Sequence, residues 1–304
     1  MHPDMHGLWP AVLMPVCADG TLDTARALAH CKHLIAAGCN GVTLFGTTGE
    51  GPAFTNAERK GLLEALLGGG VRADQIVVTT SASAIADAIE LGRHASALGC
   101  HRQLYMPPFY FRHPTQAGVV ATVSAVVRGI DDPQLKMLLY HIPGLSSVDF
   151  GHESIQTLVA RHPGQVIGAK DSSGDRAHAL ALAQAFPTLS ILVGAEQHVA
   201  DVMQVGGSGS INGLGNISPG LMSRIVAAPT QVTAADQQLV LDLLALLSVK
   251  PDMNFVCVYK TMLAQQTGDD AWLNVRLPLM PLENTEAQAV REGYRAIGTA
   301  LKNV

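Results

Sequence analysis

Four short clusters in this 304-residue chain carry side chains suited to carbonyl chemistry. Lys170 closes an apolar run, Val166-Ile167-Gly168-Ala169, and opens a polar one, Asp171-Ser172-Ser173-Gly174-Asp175. Burial strips hydration from an ammonium and favours the free amine, which can attack a carbonyl and form a Schiff base. The other reading of this segment is a lysine that reaches out of a strand end to pair with Asp171 or Asp175. Gly46-Thr47-Thr48-Gly49-Glu50-Gly51 sets two hydroxyls between glycines. Its backbone N–H groups could cradle a carboxylate, and the same pattern also suits a tight turn before a capped helix. Tyr140, in Tyr140-His141-Ile142-Pro143, is either a core phenol or a proton carrier, and Tyr105 to Phe111 forms a prolyl-aromatic loop of the kind that packs an interface. If Tyr140 faces a barrel interior, strand alternation turns His141 outward, which makes His141 structural.

These residues need a scaffold that brings them together. Short β-rich runs at 8–16, 41–45, 75–80, 102–106, 136–142, 166–170, 190–193 and 209–211 alternate with amphipathic stretches at 23–37, 55–67, 84–98, 115–128, 152–160 and 175–185. Such alternation implies parallel strands with helical crossovers. Residues 14–20, after the first run, lack the glycine-rich phosphate turn of a doubly wound sheet. Eight strands fit a (β/α)₈ TIM barrel, which places reactive groups at the carboxyl ends of its strands. The expected organisation is a barrel over 1–228 that carries the active site, with a C-terminal helical region over 229–304 packed on it. In that region Leu239, Val240, Leu243 and Leu244 share an apolar face, Pro251 interrupts the next helix start, Phe255, Val258, Tyr259 and Leu263 recur at helical spacing, and 285–302 forms a last helix.

Composition narrows the function classes. With 48% apolar and 15% charged residues, the chain has the balance of a compact enzyme rather than a disordered segment. A net charge of −5 without a basic block argues against nucleic acid and anionic membranes as partners. Five scattered cysteines without CxxC spacing point to a reducing cytoplasm, and no basic-then-apolar segment suggests a signal peptide. The longest greasy stretch, 239–249, contains Asp242 and is far shorter than the ~20 residues of a membrane span. The twelve histidines show no H-E-x-x-H spacing, and no metal site is expected.

The ordered motifs Gly46-Thr47-Thr48-Gly49-Glu50, Tyr140-His141-Ile142-Pro143, Gly168-Ala169-Lys170-Asp171-Ser172-Ser173-Gly174 and Gly207-Ser208-Gly209-Ser210-Ile211 resemble those of the dihydrodipicolinate synthase and N-acetylneuraminate lyase family, class I pyruvate-dependent aldolases. The resemblance runs over nearly the whole chain. It implies a barrel with C-terminal helices, a homotetramer, and a pyruvate Schiff base on Lys170 with no separate cofactor. It further implies Tyr140 as proton shuttle, Thr48 in relay, Thr47 and Thr48 holding the pyruvate carboxylate, and Tyr110 reaching into a neighbouring subunit's site. Gly194 and Ile211, at the mouths of the seventh and eighth strands, join the expected substrate pocket.

Leu145 stands where the synthases carry an arginine for the semialdehyde carboxylate, and an alkyl chain cannot do that work. Ser172, Glu196 and Asn212 could meet the hydroxyls of a polyol. The expectation is therefore a Schiff-base lyase, aldolase or dehydratase, acting on a 2-keto-3-deoxy sugar acid. Condensation of pyruvate with aspartate semialdehyde, as in a 4-hydroxy-tetrahydrodipicolinate synthase, is the alternative enzyme, and a keto-acid-binding sensor or scaffold is the alternative without catalysis.

Overall fold

The computed structural model describes residues 4–250 and 254–301, so Pro251 and Lys302 lie outside the described residues. Eight parallel strands, β1 (Gly7–Leu8), β2 (Val42–Leu44), β3 (Ile76–Thr79), β4 (Arg102–Tyr105), β5 (Lys136–His141), β6 (Val166–Asp171), β7 (Ser190–Val193) and β8 (Gly209–Ser210), pair in the order β1-β8-β7-β6-β5-β4-β3-β2. The gap between β1 and β2 is bridged by residues 10–12, where the Thr43 N–H donates to Pro10 O and the Val12 N–H to Thr43 O. The sheet thus closes into a (β/α)₈ TIM barrel with C-terminal helices. The expected first strand over 8–16 shrinks to Gly7–Leu8 with one parallel bridge at Ala11, because Pro10 and Pro15 have no N–H to give a ladder.

Helices cover the outer face of the barrel, and the strands that they cover are apolar on both sides. Val77, Leu104, Leu138, Tyr140, Ile167, Leu192 and Ile211 pack inside with Trp9 and Ala11. Met137, Leu139, Val166, Ala169, Ile191 and Val193 pack outward against the helices. One irregularity matters for the site. Met137 pairs with Val166 and Leu138 with Gly168, so Ile167 is an extra residue on β6. Strict alternation from the outward Val166 would turn Lys170 outward; the bulge reverses the phase and turns it in. Gly168 fits beside it because a Cβ there would lie 1.9 Å from Ser190 O.

The last helices, Ala234–Ala245, Phe255–Thr267 and Asn284–Leu301, lie at the end of the chain. Charged contacts fasten this region to the barrel. Arg276 pairs with Glu58, donates to Gly20 O and Ala53 O, and stacks over Phe54. The guanidinium holds the Glu58 carboxyl down at about 2. Among the described residues no helix is long and apolar enough to cross a membrane.

Candidate active site

Lys170 and Tyr140 are direct partners in the β5–β6 register. The Lys170 side chain is 4% exposed, and its Nζ lies 4.2 Å from the centroid of the Tyr140 ring. The ion-pair reading of this lysine fails on geometry. The Asp171 carboxylate points to the other side of β6, where it accepts from the Ser173 N–H and meets His178 Nδ1 at 3.0 Å, while Asp175 caps the helix Arg176–Ala185. Among the described residues Lys170 has no ion pair, which leaves a buried amine facing a cavity.

The glycine-flanked turn after β2 reaches the same place. Phe45 and Glu50 adopt positive φ at its two ends, and a Cβ on Gly49 or Gly51 would collide with Val12 O or Phe45 O. The turn folds on itself through the N–H groups of Gly49, Glu50 and Gly51. Among the described residues no hydrogen bond engages the Thr47 or Thr48 N–H, so both donors are left for an anion. The hydroxyl that meets the phenol is that of Thr47, whose Oγ1 lies 3.0 Å from Tyr140 Oη. This corrects the expectation for Thr48: neighbouring side chains in a tight turn diverge, so only one reaches the phenol, and Thr48 instead lines the cavity.

Under the turn lies a charge pair that the sequence reading missed. Glu50 and Lys260, on the helix Phe255–Thr267, are an ion pair with both side chains essentially unexposed. Glu50 also accepts from the Arg276 N–H at 3.1 Å, and Lys260 donates to Asn274 O at 2.9 Å. Desolvation pulls the Lys260 pKa down and the carboxylate opposes it. Lys260→Met should leave Glu50 as a buried unpaired charge and cost about 3–5 kcal/mol in urea unfolding, with part of the loss recovered in the double variant carrying Glu50→Gln.

A cavity of about 220 Å³ gathers Thr47, Thr48, Tyr140, Lys170, Ser172, Gly194, Glu196 and Ile211. Tyr110 is the exception among the expected site residues. It is 77% exposed on the loop after β4, in edge contact with Phe111, and does not line the cavity of its own chain. Leu145 does line it, as do Ile142, Asn212, Gly213, Leu247, Phe255 and Tyr259. The last three come from the C-terminal region, where helical spacing alone marked an apolar face. Glu196 Oε1 accepts from the Gly213 and Leu214 N–H groups at 3.1 and 3.0 Å and from the Tyr259 hydroxyl at 3.3 Å. Burial raises the Glu196 pKa despite these donors, and burial with the adjacent carboxyl drives the Tyr259 phenol well above its ordinary value.

Among the described residues one group, His141, Asp171 and His178, offers three potential ligand atoms to an ion within 4.8 Å of one another. It sits outside the barrel wall. His141 turns outward and stacks on His178 at 4.6 Å, its Nδ1 accepts from the Phe150 N–H, and His178 is bonded to Asp171. The contact with Asp171 raises the His178 pKa. None of the three lines the cavity, so the cluster secures β6 against its helix from behind Lys170.

The family model that matches this sequence, over residues 4–297, is that of the dihydrodipicolinate synthetase family. An uncharacterized DapA-like lyase of Chloroflexus aurantiacus is 33% identical over 96% of this chain and 96% of its own. A 4-hydroxy-tetrahydrodipicolinate synthase of Agrobacterium fabrum is 30% identical over 98% of this chain and 97% of its own. The crystal structure of dihydrodipicolinate synthase from Agrobacterium tumefaciens superposes with a TM-score of 0.91 at 30% identity, covering 96% of this chain and 99% of that one. With a matching family model over nearly its full length, a barrel in common and an inward lysine at the mouth of β6, this chain belongs to the dihydrodipicolinate synthetase family of lyases.

Proposed function

We propose that this chain is a class I lyase that binds pyruvate, or the pyruvate half of a 2-oxo acid, as a Schiff base on Lys170. The observation that carries the reading is the buried Lys170 amine, without an ion pair among the described residues, beside the Tyr140–Thr47 hydrogen bond in one cavity. The amine attacks C2, water leaves, and the iminium accepts the electron pair released when the C3–C4 bond breaks. Tyr140 Oη takes the C4 hydroxyl proton in cleavage and returns it in synthesis, with Thr47 Oγ1 as its relay. The Thr47 and Thr48 N–H groups hold the carboxylate, and Gly194 and Ile211 shape the pyruvate end. A dehydratase would use the same iminium, and neither route calls for a cofactor or metal. Residues 1–228 form the catalytic unit of this proposal, and 229–304 supply one wall of the cavity. The 70–77% exposure of Phe111 and Tyr110 on a proline-stiffened loop supports an oligomer, a homotetramer as in the resemblance, in which Tyr110 completes a neighbouring site. Five free thiols support a cytoplasmic setting.

The choice of second substrate is narrower. Relatives named as synthases support the pyruvate half, but Leu145 lines the cavity where their arginine is expected, so aspartate semialdehyde is not the partner proposed. A 2-keto-3-deoxy sugar acid rested on Ser172, Glu196 and Asn212. Two of these are already committed within the protein: Glu196 Oε1 accepts three hydrogen bonds, and Asn212 donates to Ser210 Oγ and accepts from the Gly215 N–H. Pyruvate with borohydride should leave a reduced pyruvyl adduct on Lys170 by peptide mass spectrometry; an unlabelled Lys170 overturns the Schiff-base reading.

A further inference from the structure

The apolar part of the cavity lining carries a second inference, which rests on the pyruvate reading above. Its wall is Ile142 and Leu145 from the turn after β5, Leu247, and Phe255 with Tyr259 from the helix Phe255–Thr267. Among the described residues of the lining, Lys170 is the only cation and Glu196 the only carboxyl. A second carboxylate or a phosphate on the substrate would lose its hydration there without a guanidinium or ammonium to replace it, and an ionised Glu196 would repel it. A chain of hydroxyls fares little better. The Tyr259 hydroxyl is spent on Glu196 Oε1, the Asn212 side chain bonds to Ser210 and Gly215, and Ile142, Leu145, Leu247 and Phe255 present only hydrocarbon side chains. Among the described residues one lining side chain has a buried polar atom with no partner, and it is Ser172 Oγ.

We propose that the aldehyde joined to, or released from, the pyruvate carbon is uncharged, with an aromatic or branched hydrocarbon body against Leu145, Leu247 and Phe255 and a single hydrogen-bonding group met by Ser172. In the synthetic direction the enamine electron pair at C3 forms the new bond to the aldehyde carbon. The carbonyl π pair moves to its oxygen, which takes the proton of Tyr140. Water then hydrolyses the iminium, frees Lys170 and releases a 4-hydroxy-2-oxo acid with an apolar tail. Burial of that tail supplies the discrimination, and a fully placed aromatic ring is large enough to outweigh a hydroxylated chain of similar length.

The test gives the full-length enzyme pyruvate with benzaldehyde, isovaleraldehyde, D-glyceraldehyde or aspartate semialdehyde, and follows pyruvate loss and product mass. In parallel, pyruvate alone is trapped with borohydride. The expected result is an adduct on Lys170 and a kcat/KM for benzaldehyde or isovaleraldehyde at least about tenfold above those for the other two. If the adduct forms but D-glyceraldehyde or aspartate semialdehyde is preferred or equal, or no aldehyde is consumed, the apolar-partner inference is overturned and the pyruvate reading stands. Without an adduct, both fall. Leu145 is 43% exposed, so Leu145→Arg should fold. It should lower the ratio of kcat/KM for benzaldehyde over aspartate semialdehyde at least about tenfold, and an unchanged ratio also overturns the inference.

Discussion

Lys170→Ala should abolish both borohydride-trapped pyruvyl labelling and turnover, with kcat/KM down by at least about 10⁴-fold, while the thermal midpoint stays near that of the parent enzyme. The separation of the two effects follows from the surroundings of the side chain. Among the described residues Lys170 has no ion pair to break, so its removal orphans no carboxylate among them; Asp171 keeps its bond to His178 and Asp175 keeps its helix cap. What is lost is the amine and some packing over the Tyr140 ring. The same variant separates a lyase from a keto-acid sensor. A binder that holds pyruvate through the Thr47 and Thr48 N–H groups would retain pyruvate affinity in calorimetry after Lys170→Ala and would show no turnover before it. Turnover in the parent enzyme that disappears with the amine excludes the sensor; turnover that survives excludes Lys170 as the nucleophile.

The β/α rhythm was legible because strands covered on both faces read as short apolar runs, and because helices that pack on them keep one polar stripe. Lys170, Tyr140 and the Thr47-Thr48 turn were legible as residues at strand ends. Their orientation was less so. Periodicity alone would send Lys170 outward, and the single extra residue Ile167 that turns it inward leaves no mark in a hydropathy pattern. Thr47 and Thr48 are identical in type, and only turn geometry decides which hydroxyl meets the phenol. Contacts across long sequence separation were not legible at all. Glu50 and Lys260 become a pair only when the C-terminal helix docks beside the turn, whereas Asn212 looked available to substrate until its near neighbours in sequence, Ser210 and Gly215, claimed it. In each case local propensity was satisfied either way, and tertiary packing made the choice.

Tyr140→Phe should lower kcat by roughly 10²–10⁴-fold with pyruvate trapping retained at a reduced rate. The substitution keeps the ring face beneath Lys170 Nζ and the packing against Leu138, Leu192 and Ile211, and removes only Oη and its bond to Thr47. Schiff-base formation can draw its protons from water, but in C–C cleavage the hydroxyl proton must leave as the bond breaks, and this is where a positioned phenol acts. The loss should fall on kcat for the carbon–carbon step more than on KM, because the carboxylate cradle and the apolar wall are untouched. The threonines give the relay its own check. Thr47→Val should reproduce a smaller part of the Tyr140→Phe defect, and should add little to it in the double variant, since both changes cut one hydrogen bond. Thr48→Val should combine additively with Tyr140→Phe, because its hydroxyl makes no contact with Oη. A kcat for Tyr140→Phe within threefold of the parent would remove the phenol from the proton path and leave Lys170 to work with solvent alone.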